Sequence, residues 1–280
     1  MTGPEIQTQE DPNWSSSWRE FPWWLLAIFA FLGIMAFLIA TQPNFNEAFN
    51  FIKGKIEVVS EPGEFAIVVE GLWMTLKVTL FAFAIALVFG LLAGLGRISH
   101  NTLIRNVAIT YIEFIRGVPT LVLIFTLAFV IVPSVADAVG FEKSLPQDWR
   151  AIAALSIIYG AFLAEIFRAG IESIPGGQME AARSLGMSYS QAMRIIILPQ
   201  AIRNISPALG NDFIAMLKDS SLVSVLAVRD LTQMARLYAG RTFRFRESYL
   251  VLTFFYLSIT IVLSLLLRWY ERRLGKTGGS

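Results

Sequence analysis

Apolar residues in this chain gather in long runs, and polar residues separate one run from the next. Five runs approach or exceed the roughly 20 helical residues that a bilayer core of about 30 Å requires. They cover residues 21–41, 65–96, 109–132, 151–171 and 249–267, and Gly117 and Pro119 break the third run near its start. Closed barrels would instead show strands of about ten residues with alternating polarity, and that pattern is absent from the sequence. The pattern therefore predicts membrane-spanning helices.

A sixth segment, residues 205–228, is long enough to cross a bilayer but is less apolar. It contains Asp212, Lys218 and Asp219 as well as several serines. Each charge at bilayer depth is costly, so hydropathy alone gives this segment a marginal score. Counting it, we predict an all-α membrane protein with about six transmembrane helices and with both chain ends on the cytoplasmic side.

The polar segments divide the chain into further parts. Residues 1–21 are expected to be a polar cytoplasmic tail, and Trp18, Trp23 and Trp24 suit a membrane interface. We expect an extramembrane loop at 42–64, a short turn at 97–105 and a second loop at 133–150. Pro175-Gly176-Gly177 is expected to stop the fourth crossing. Residues 178–204 have apolar positions at helical spacing, which predicts one or two amphipathic helices outside the lipid.

The distribution of arginine supports this topology only in part. Four cationic residues after the last crossing would lie inside, as the positive-inside tendency requires. The loop before that crossing would lie outside although it holds five arginines. These are Arg229, Arg236, Arg241, Arg244 and Arg246.

Composition excludes several functions. The chain has a net charge of +2 and scattered basic residues, and without a basic block it is not expected to bind nucleic acid. It has no cysteine and a single histidine, His100. A disulfide, a thiol nucleophile and a cysteine-ligated zinc site are therefore excluded, and we expect no metal site.

One motif indicates the class of protein. Glu180-Ala181-Ala182 is followed by Gly186 and then by Ile196 and Leu198-Pro199. This spacing resembles the cytoplasmic signature loop of permease subunits of ATP-binding-cassette importers. Three further segments resemble the polar amino-acid uptake branch of that family. They are Tyr111–Pro119, Ala164–Ile171 and Leu217–Ser224.

The resemblance covers about residues 66–274 and implies a five-helix importer-permease core with a cytoplasmic coupling-helix loop. Residues 22–65 then form an extra transmembrane helix and a periplasmic loop of unknown purpose, and 275–280 a C-terminal tail. The resemblance also implies a multi-pass protein of the bacterial inner membrane that works by alternating access. Its partners would be two ATPase subunits that bind ATP and Mg, a second permease of the same or a related kind, and a periplasmic or lipid-anchored amino-acid-binding protein. The chain itself would carry no cofactor.

The physical reading of the signature loop agrees with the resemblance. Glu180 is expected in the first turn of a short helix, where the helix dipole favours an anion. Ala181 and Ala182 have small side chains, so they would give that helix a face that can pack closely against the ATPase. Gly186 would permit a sharp turn, and Pro199 would end the second, amphipathic arm before the next crossing.

Charged residues within the predicted crossings are candidates for the translocation path or gate. Two interpretations stay open for the segment around Lys218: direct contact with a zwitterionic amino acid, or a gate or subunit interface. Glu113 with Arg116, and Glu165 with Arg168, are spaced three apart and are expected to pair on one helical face. Lys77 is expected to extend toward the membrane surface. The candidates in the Lys218 segment are Asn211, Asp212, Lys218, Asp219, Ser220 and Ser221.

Two enzymatic alternatives fail on their residues. An intramembrane hydrolase built on Ser220 or Ser221 lacks a general base. Gly275-Lys276-Thr277 looks like the end of a phosphate-binding loop, but Tyr270 stands where its first glycine should be. We therefore expect a transport subunit without ATPase activity, and a permease for another small polar solute remains the alternative.

Overall fold

The computed structural model describes residues 23–61, 64–140 and 145–277, so the predicted tail 1–21 and residues 278–280 lie outside the described residues. The helices are α1 (Trp23–Thr41), α2 (Pro43–Lys53), α3 (Leu72–Arg97), α4 (Thr102–Gly117), α5 (Thr120–Ala138), α6 (Gln147–Glu172), α7 (Gly176–Ser184), α8 (Tyr189–Ala192), α9 (Leu198–Asp219), α10 (Leu231–Thr242) and α11 (Phe245–Thr277). Two strands, β1 (Ile56–Glu61) and β2 (Glu64–Val69), form an antiparallel hairpin.

The segment after α1 is folded, contrary to the predicted loop at 42–64. The chain turns through 102° between α1 and α2. Gln42 is extended and Pro43 occupies the first turn of α2, where its missing N–H costs no helical hydrogen bond. The hairpin then occupies 56–69, so the second crossing begins at Leu72 and not at the predicted residue 65. This segment packs Phe45, Ala48 and Ile52 against α10 and α11.

The helix α6 lies at the centre of the bundle. In its most apolar stretch 67% of residues are buried, against 11% in α11. It runs parallel to α3, since Lys77 Nζ donates to Asp148 Oδ2 (2.7 Å) near the start of both helices and Arg97 pairs with Glu165 near their ends. Lys77 therefore has an ion-pair partner on α6.

Small residues allow α3 and α6 to approach closely, as the glycines of the second crossing lead one to expect. A Cβ atom on Gly94 would lie 2.9 Å from the Ala164 carbonyl oxygen. One on Gly90 would lie 2.6 Å from the Leu163 Cβ. Only glycine fits at these contacts, so the sequence determines how close the two helices lie.

The third predicted crossing is two helices. Gly117, Val118 and Pro119 separate α4 from α5, because Pro119 lacks an N–H and forces Val118 into an extended conformation. The turn before α4 is also shorter than expected: Asn101 accepts hydrogen bonds from the backbone N–H groups of Leu103 and Ile104, so the helix begins at Thr102. A π-helical turn at Leu127–Ile131 lies within α5.

The amphipathic segment leads directly into α9. A π-helical turn at Met193–Ile197 joins α8 to α9, and Pro199 lies in the first turn of α9. Pro199 therefore does not end the second arm as predicted, because the chain stays helical through the wider π-helical turn directly before it. A second proline, Pro207, lies inside α9, and Ser206 Oγ donates to the Arg203 carbonyl (2.9 Å) that this proline leaves unpaired.

By length and apolarity, four described helices could each cross a membrane: α3, α5, α6 and α11. The bent pair of α1 and α2 raises the number to five if it counts as one crossing. The helix α9 does not pass this test, which agrees with its marginal hydropathy. The predicted number of about six thus remains a prediction, whereas the all-α membrane class is confirmed.

Candidate functional site

The signature loop forms a compact projection at the end of the bundle where α6 stops, which we call the α7 end. The helix α7 begins at Gly176, so Gly176 and Gly177 open this helix, although they were expected only to stop the preceding one. Glu180 consequently lies in the second turn, and the first turn contains no acidic residue. The predicted dipole interaction at the first turn is therefore wrong for Glu180.

The exposed and buried residues of this loop differ in what they can do. Glu180, Ala181 and Gly186 are exposed, whereas Ala182 is only 4% exposed. Ala182 thus packs inside the chain and cannot present the predicted face to a partner. Leu185, which the sequence analysis did not single out, is 84% exposed and is the most exposed large apolar side chain described. Its position directly before a turn glycine was the signal that could have identified it.

Several contacts hold the projection rigid. Gly186 has φ +83°, a conformation that glycine adopts at little cost, and the chain reverses there as predicted. Ser188 and Gln191 form a reciprocal capping box at the start of α8. Below the loop, Met179 packs against a buried apolar cluster. Its members are Ile171, Met193, Ile197 and Ala201.

A network of ion pairs lies beside the loop at the ends of α3 and α6. Arg97 pairs with Glu165 and lies 3.7 Å from Glu113. Arg168 pairs with Glu165 (3.1 Å), as expected from their spacing, and also with Glu172. The expected pair of Glu113 with Arg116 is not formed among the described residues, because Arg97 from α3 reaches Glu113 instead. The sequence could not reveal Arg97 as the centre of this network, since 68 residues separate it from Glu165.

The other candidate residues lie along α9, and they face different neighbours. Asp219 accepts a hydrogen bond from the Tyr159 hydroxyl of α6 (2.8 Å). Ser220 is buried and donates to the Leu217 carbonyl (2.7 Å). Asp212 is half-buried. Asn211 and Lys218 are exposed, so the adjacent Lys218 and Asp219 do not form one unit.

Lys218 lies at a groove between α9, α10 and α11. The groove has a volume of about 480 Å³. Five of its lining residues carry hydroxyl groups, and Thr232 Oγ1 and the Tyr256 hydroxyl lie 3.1 Å apart. Most of the surface that lines the groove is apolar, so the Lys218 ammonium group and these hydroxyl groups are polar positions on a largely apolar wall. The hydroxyl-bearing residues are Ser221, Thr232, Thr253, Tyr256 and Thr260.

The described residues contain no group of three or more histidine, cysteine, aspartate or glutamate side chains able to hold a metal ion. Gly275, Lys276 and Thr277 continue the helix α11. A phosphate-binding loop requires a glycine-rich turn between a strand and a helix, so the structure agrees with the rejection of this motif.

Comparison with known proteins matches this architecture to transport subunits. Residues 86–276 match the family described as binding-protein-dependent transport system inner membrane component. The probable glutamine ABC transporter permease protein GlnM of Bacillus subtilis is 38% identical over 213 residues, which are 76% of this chain and 95% of that protein. The arginine transport system permease protein ArtQ of the same organism is 33% identical over 207 residues, covering 74% of this chain and 92% of that protein.

A solved structure described as an amino acid ABC transporter with histidines is 43% identical, with a TM-score of 0.63. The match covers 72% of this chain and 92% of that chain. Together with the signature loop and the apolar helices, these matches establish the class. The chain belongs to the inner-membrane components of binding-protein-dependent transport systems, and it is the permease subunit of an ATP-binding-cassette importer.

Proposed function

We propose that this permease carries a polar amino acid, that its α7 end lies in the cytoplasm, and that α7 is the element on which a separate ATPase subunit acts. The observation that carries the proposal is the rigid projection of α7 with Leu185 exposed at its tip. A single exposed leucine does not by itself mark a contact, so the position of Leu185 on the family's signature loop is what supports the proposal. The ATPase subunit would bind ATP and Mg, and this chain would convert its motion into movement of α6 and α9.

The path for the solute is proposed to follow α9. Asn204, Asn211 and Lys218 are all exposed and are spaced seven residues apart. Residues at this spacing drift by only about 20° around a helix, so the three lie on one face. A polar face of this length would be costly in lipid, which favours a position against water or a second permease. Two permeases facing each other along α9 would enclose a polar path.

Residues beside this face are proposed to act as gate or ligand contacts. Asp212 and Ser221 lie next to the polar face of α9. Asp219 accepts a hydrogen bond from the Tyr159 hydroxyl of α6. Ser220, being buried, supports the helix. At the α7 end, Glu165 and Glu113 belong to the Arg97 network and are placed to hold the inner end closed, whereas Arg116 is exposed and has no ion-pair partner among the described residues.

The relatives and the Lys218 groove support a polar amino acid as the solute. GlnM and ArtQ are named for glutamine and arginine, which share only the amino-acid backbone and a polar side chain. The Lys218 groove offers an ammonium group to the carboxylate that every amino acid has. A polar amino acid, delivered by a solute-binding protein, is the class that these observations favour.

Reconstitution of the complete complex tests the substrate class. ATP hydrolysis in proteoliposomes should rise when a solute-binding protein loaded with one polar amino acid is added. Hydrolysis that responds to no amino acid in a full panel, but does respond to another solute, would show that the class is wrong.

A charge reversal tests the role of α7. Glu180→Lys should reduce recovery of the ATPase subunit with the tagged permease, or leave it bound while transport no longer follows ATP hydrolysis. Glu271→Lys makes the same charge change near the end of α11 and serves as the control. Normal transport and normal recovery of the complex in Glu180→Lys would disprove the proposed contact.

A further inference from the structure

A polar cavity lies at the end of the bundle opposite α7, which we call the hairpin end. Its volume is about 570 Å³. One wall comes from the N-terminal segment, through Asn50, Phe51 and Gly54. The other comes from the part of the chain that matches the family, through Arg229 and α10. The family match begins at residue 86, so residues 43–55 form a wall from outside the matched region.

The two walls are joined by close backbone contacts. Gly54 has φ +69°, and a Cβ atom there would lie 2.5 Å from the Glu70 carbonyl carbon. Gly71 has φ +63°, and a Cβ atom there would collide with the carbonyl oxygens of Ile52 and Lys53. The Gly71 N–H also donates to the Arg229 carbonyl (2.7 Å). The cavity is therefore preformed, with little freedom for one wall to move against the other.

Cations dominate the described lining of the cavity. The Arg229 side chain is 62% exposed and pairs with Glu70, which is largely buried. Arg241 lies 5.7 Å from the ring centre of Phe51 and has no carboxylate partner among the side chains that the structure describes. The guanidinium of Arg241 is thus held by α2 and left available to an anion.

Three further arginines lie beyond the cavity, and two of them are paired with carboxylates. Arg244 pairs with Glu47 (2.7 Å) and Arg246 with Glu247 (3.1 Å), whereas Arg236 is exposed and without an ion pair among the described side chains. Of the five arginines, three have a carboxylate partner and two have none among the described side chains. A charged surface this wide suits a protein better than a single amino acid, because a small solute could engage only one part of it.

We propose that α2 and α10 together form the seat for an acidic surface of the solute-binding protein, with one carboxylate side chain of that protein entering the cavity to meet Arg241 and Arg229. The proposal rests on the proposed function for the existence and sidedness of that partner. It gives the N-terminal segment a purpose: α2 holds Arg241 through Phe51 and closes one side of the seat. It also accounts for the arginines that contradict the positive-inside tendency, since they would serve recognition on the outer side.

The affinity of the complete transporter for its solute-binding protein tests this seat. The transporter, with its ATPase subunits, is placed in nanodiscs, and the probe is the binding protein that stimulates its ATP hydrolysis. Arg241→Glu should weaken binding about tenfold at low salt, and the difference should shrink near 0.15 M salt as the charges are screened. Phe51→Ala should weaken binding in the same direction, since it removes the support of Arg241. Arg272→Glu, an exposed arginine near the end of α11, should leave the affinity unchanged.

The outcomes separate this inference from the proposed function. If the binding protein stimulates hydrolysis but Arg241→Glu binds it as tightly as the wild type at every salt concentration, the seat is wrong and the function stands. If Arg241→Glu leaves that affinity unchanged and raises the KM for amino-acid transport, the cavity receives the solute and the seat is equally wrong. If no binding protein stimulates the wild-type transporter, the proposed function itself fails.

Discussion

Asp230 shows how a single side chain can make the stability of this fold depend on pH. It precedes α10, outside the candidate crossings, and accepts a hydrogen bond from the backbone N–H of Gln233 (2.9 Å). Burial raises its pKa to about 7, although the hydrogen bond from the Gln233 backbone favours the charged form. The folded protein therefore holds this proton at pH values where an unfolded chain has released it.

The sign of the effect follows from proton linkage. Between the ordinary aspartate pKa of about 4 and the raised value near 7, the folded state binds more protons than the unfolded state, so stability falls as pH rises through this window. The fall amounts to at most about 4 kcal/mol, at roughly 1.4 kcal/mol for each unit. Asp230→Asn keeps an N-cap acceptor and should remove this fall.

Thermal unfolding of the detergent-solubilised permease between about pH 4 and pH 7 measures this fall in stability. Asp137→Asn, a change at an exposed carboxyl group, is the control and should keep the wild-type slope. A slope that persists unchanged in Asp230→Asn would contradict the assignment to this residue.

At the scale of elements, the predictions were most accurate where the residues of one segment were enough to identify its structure. The crossings α6 and α11 and the turn at Gly186 follow from apolar runs and a spaced motif. The helix α2 was missed because its mixed composition resembles a loop. Its apolar face packs against α1, α10 and α11, and the last two lie far away in the sequence. The break between α4 and α5 was predicted from Gly117 and Pro119, which interrupt the apolar run near its start.

In the candidate site, too, some features were predicted correctly and others were not. The loop from Glu180 to Gly186 could be placed by its resemblance to the family's signature loop. Its buried and exposed faces could not be predicted, so Ala182 was given a role that its burial excludes. Spacing within one helix predicted Arg168 with Glu165 correctly. It failed for Glu113 and Arg116, because a competing cation from α3 lies nearer in the fold.

The contact between α3 and α6 gives a test at this scale. Gly94→Ala should destabilise the permease by about 1–3 kcal/mol, since the added methyl group meets the Ala164 backbone, which cannot move without shifting α6. Gly33→Ala makes the same change in α1, where nothing lies within 4 Å, and should be neutral or slightly stabilising because alanine favours a helix. The unfolding midpoints of the two variants in detergent measure the two changes in stability. Equal changes would show that the packing of α3 against α6 does not require glycine at position 94.

At the scale of the whole molecule, the two ends of the bundle have different chemistry, and the central helix joins them. The α7 end presents a rigid apolar tip, whereas the hairpin end presents a basic cavity. Between them α6 is buried along most of its length and touches α3, α9 and the turn to α7. A force applied to α7 would therefore reach α9 through packed side chains, which is what a permease driven by a separate subunit requires.

The exposed tip predicts where most of the affinity for the ATPase subunit resides. Interface energy concentrates in a few apolar or aromatic anchors that enter a pocket on the partner, and Leu185 is the side chain at this end with the geometry of such an anchor. Leu185→Ala should weaken binding of the ATPase subunit about tenfold without changing the fold, because the side chain makes few contacts within its own chain. Titration of the ATPase subunit onto the permease in nanodiscs measures the change. Leu265→Ala, the same substitution at an exposed position in α11, should bind as the wild type does. If Leu185→Ala also binds as the wild type does, the tip is not the anchor, and the contact must depend on the charged residues of α7.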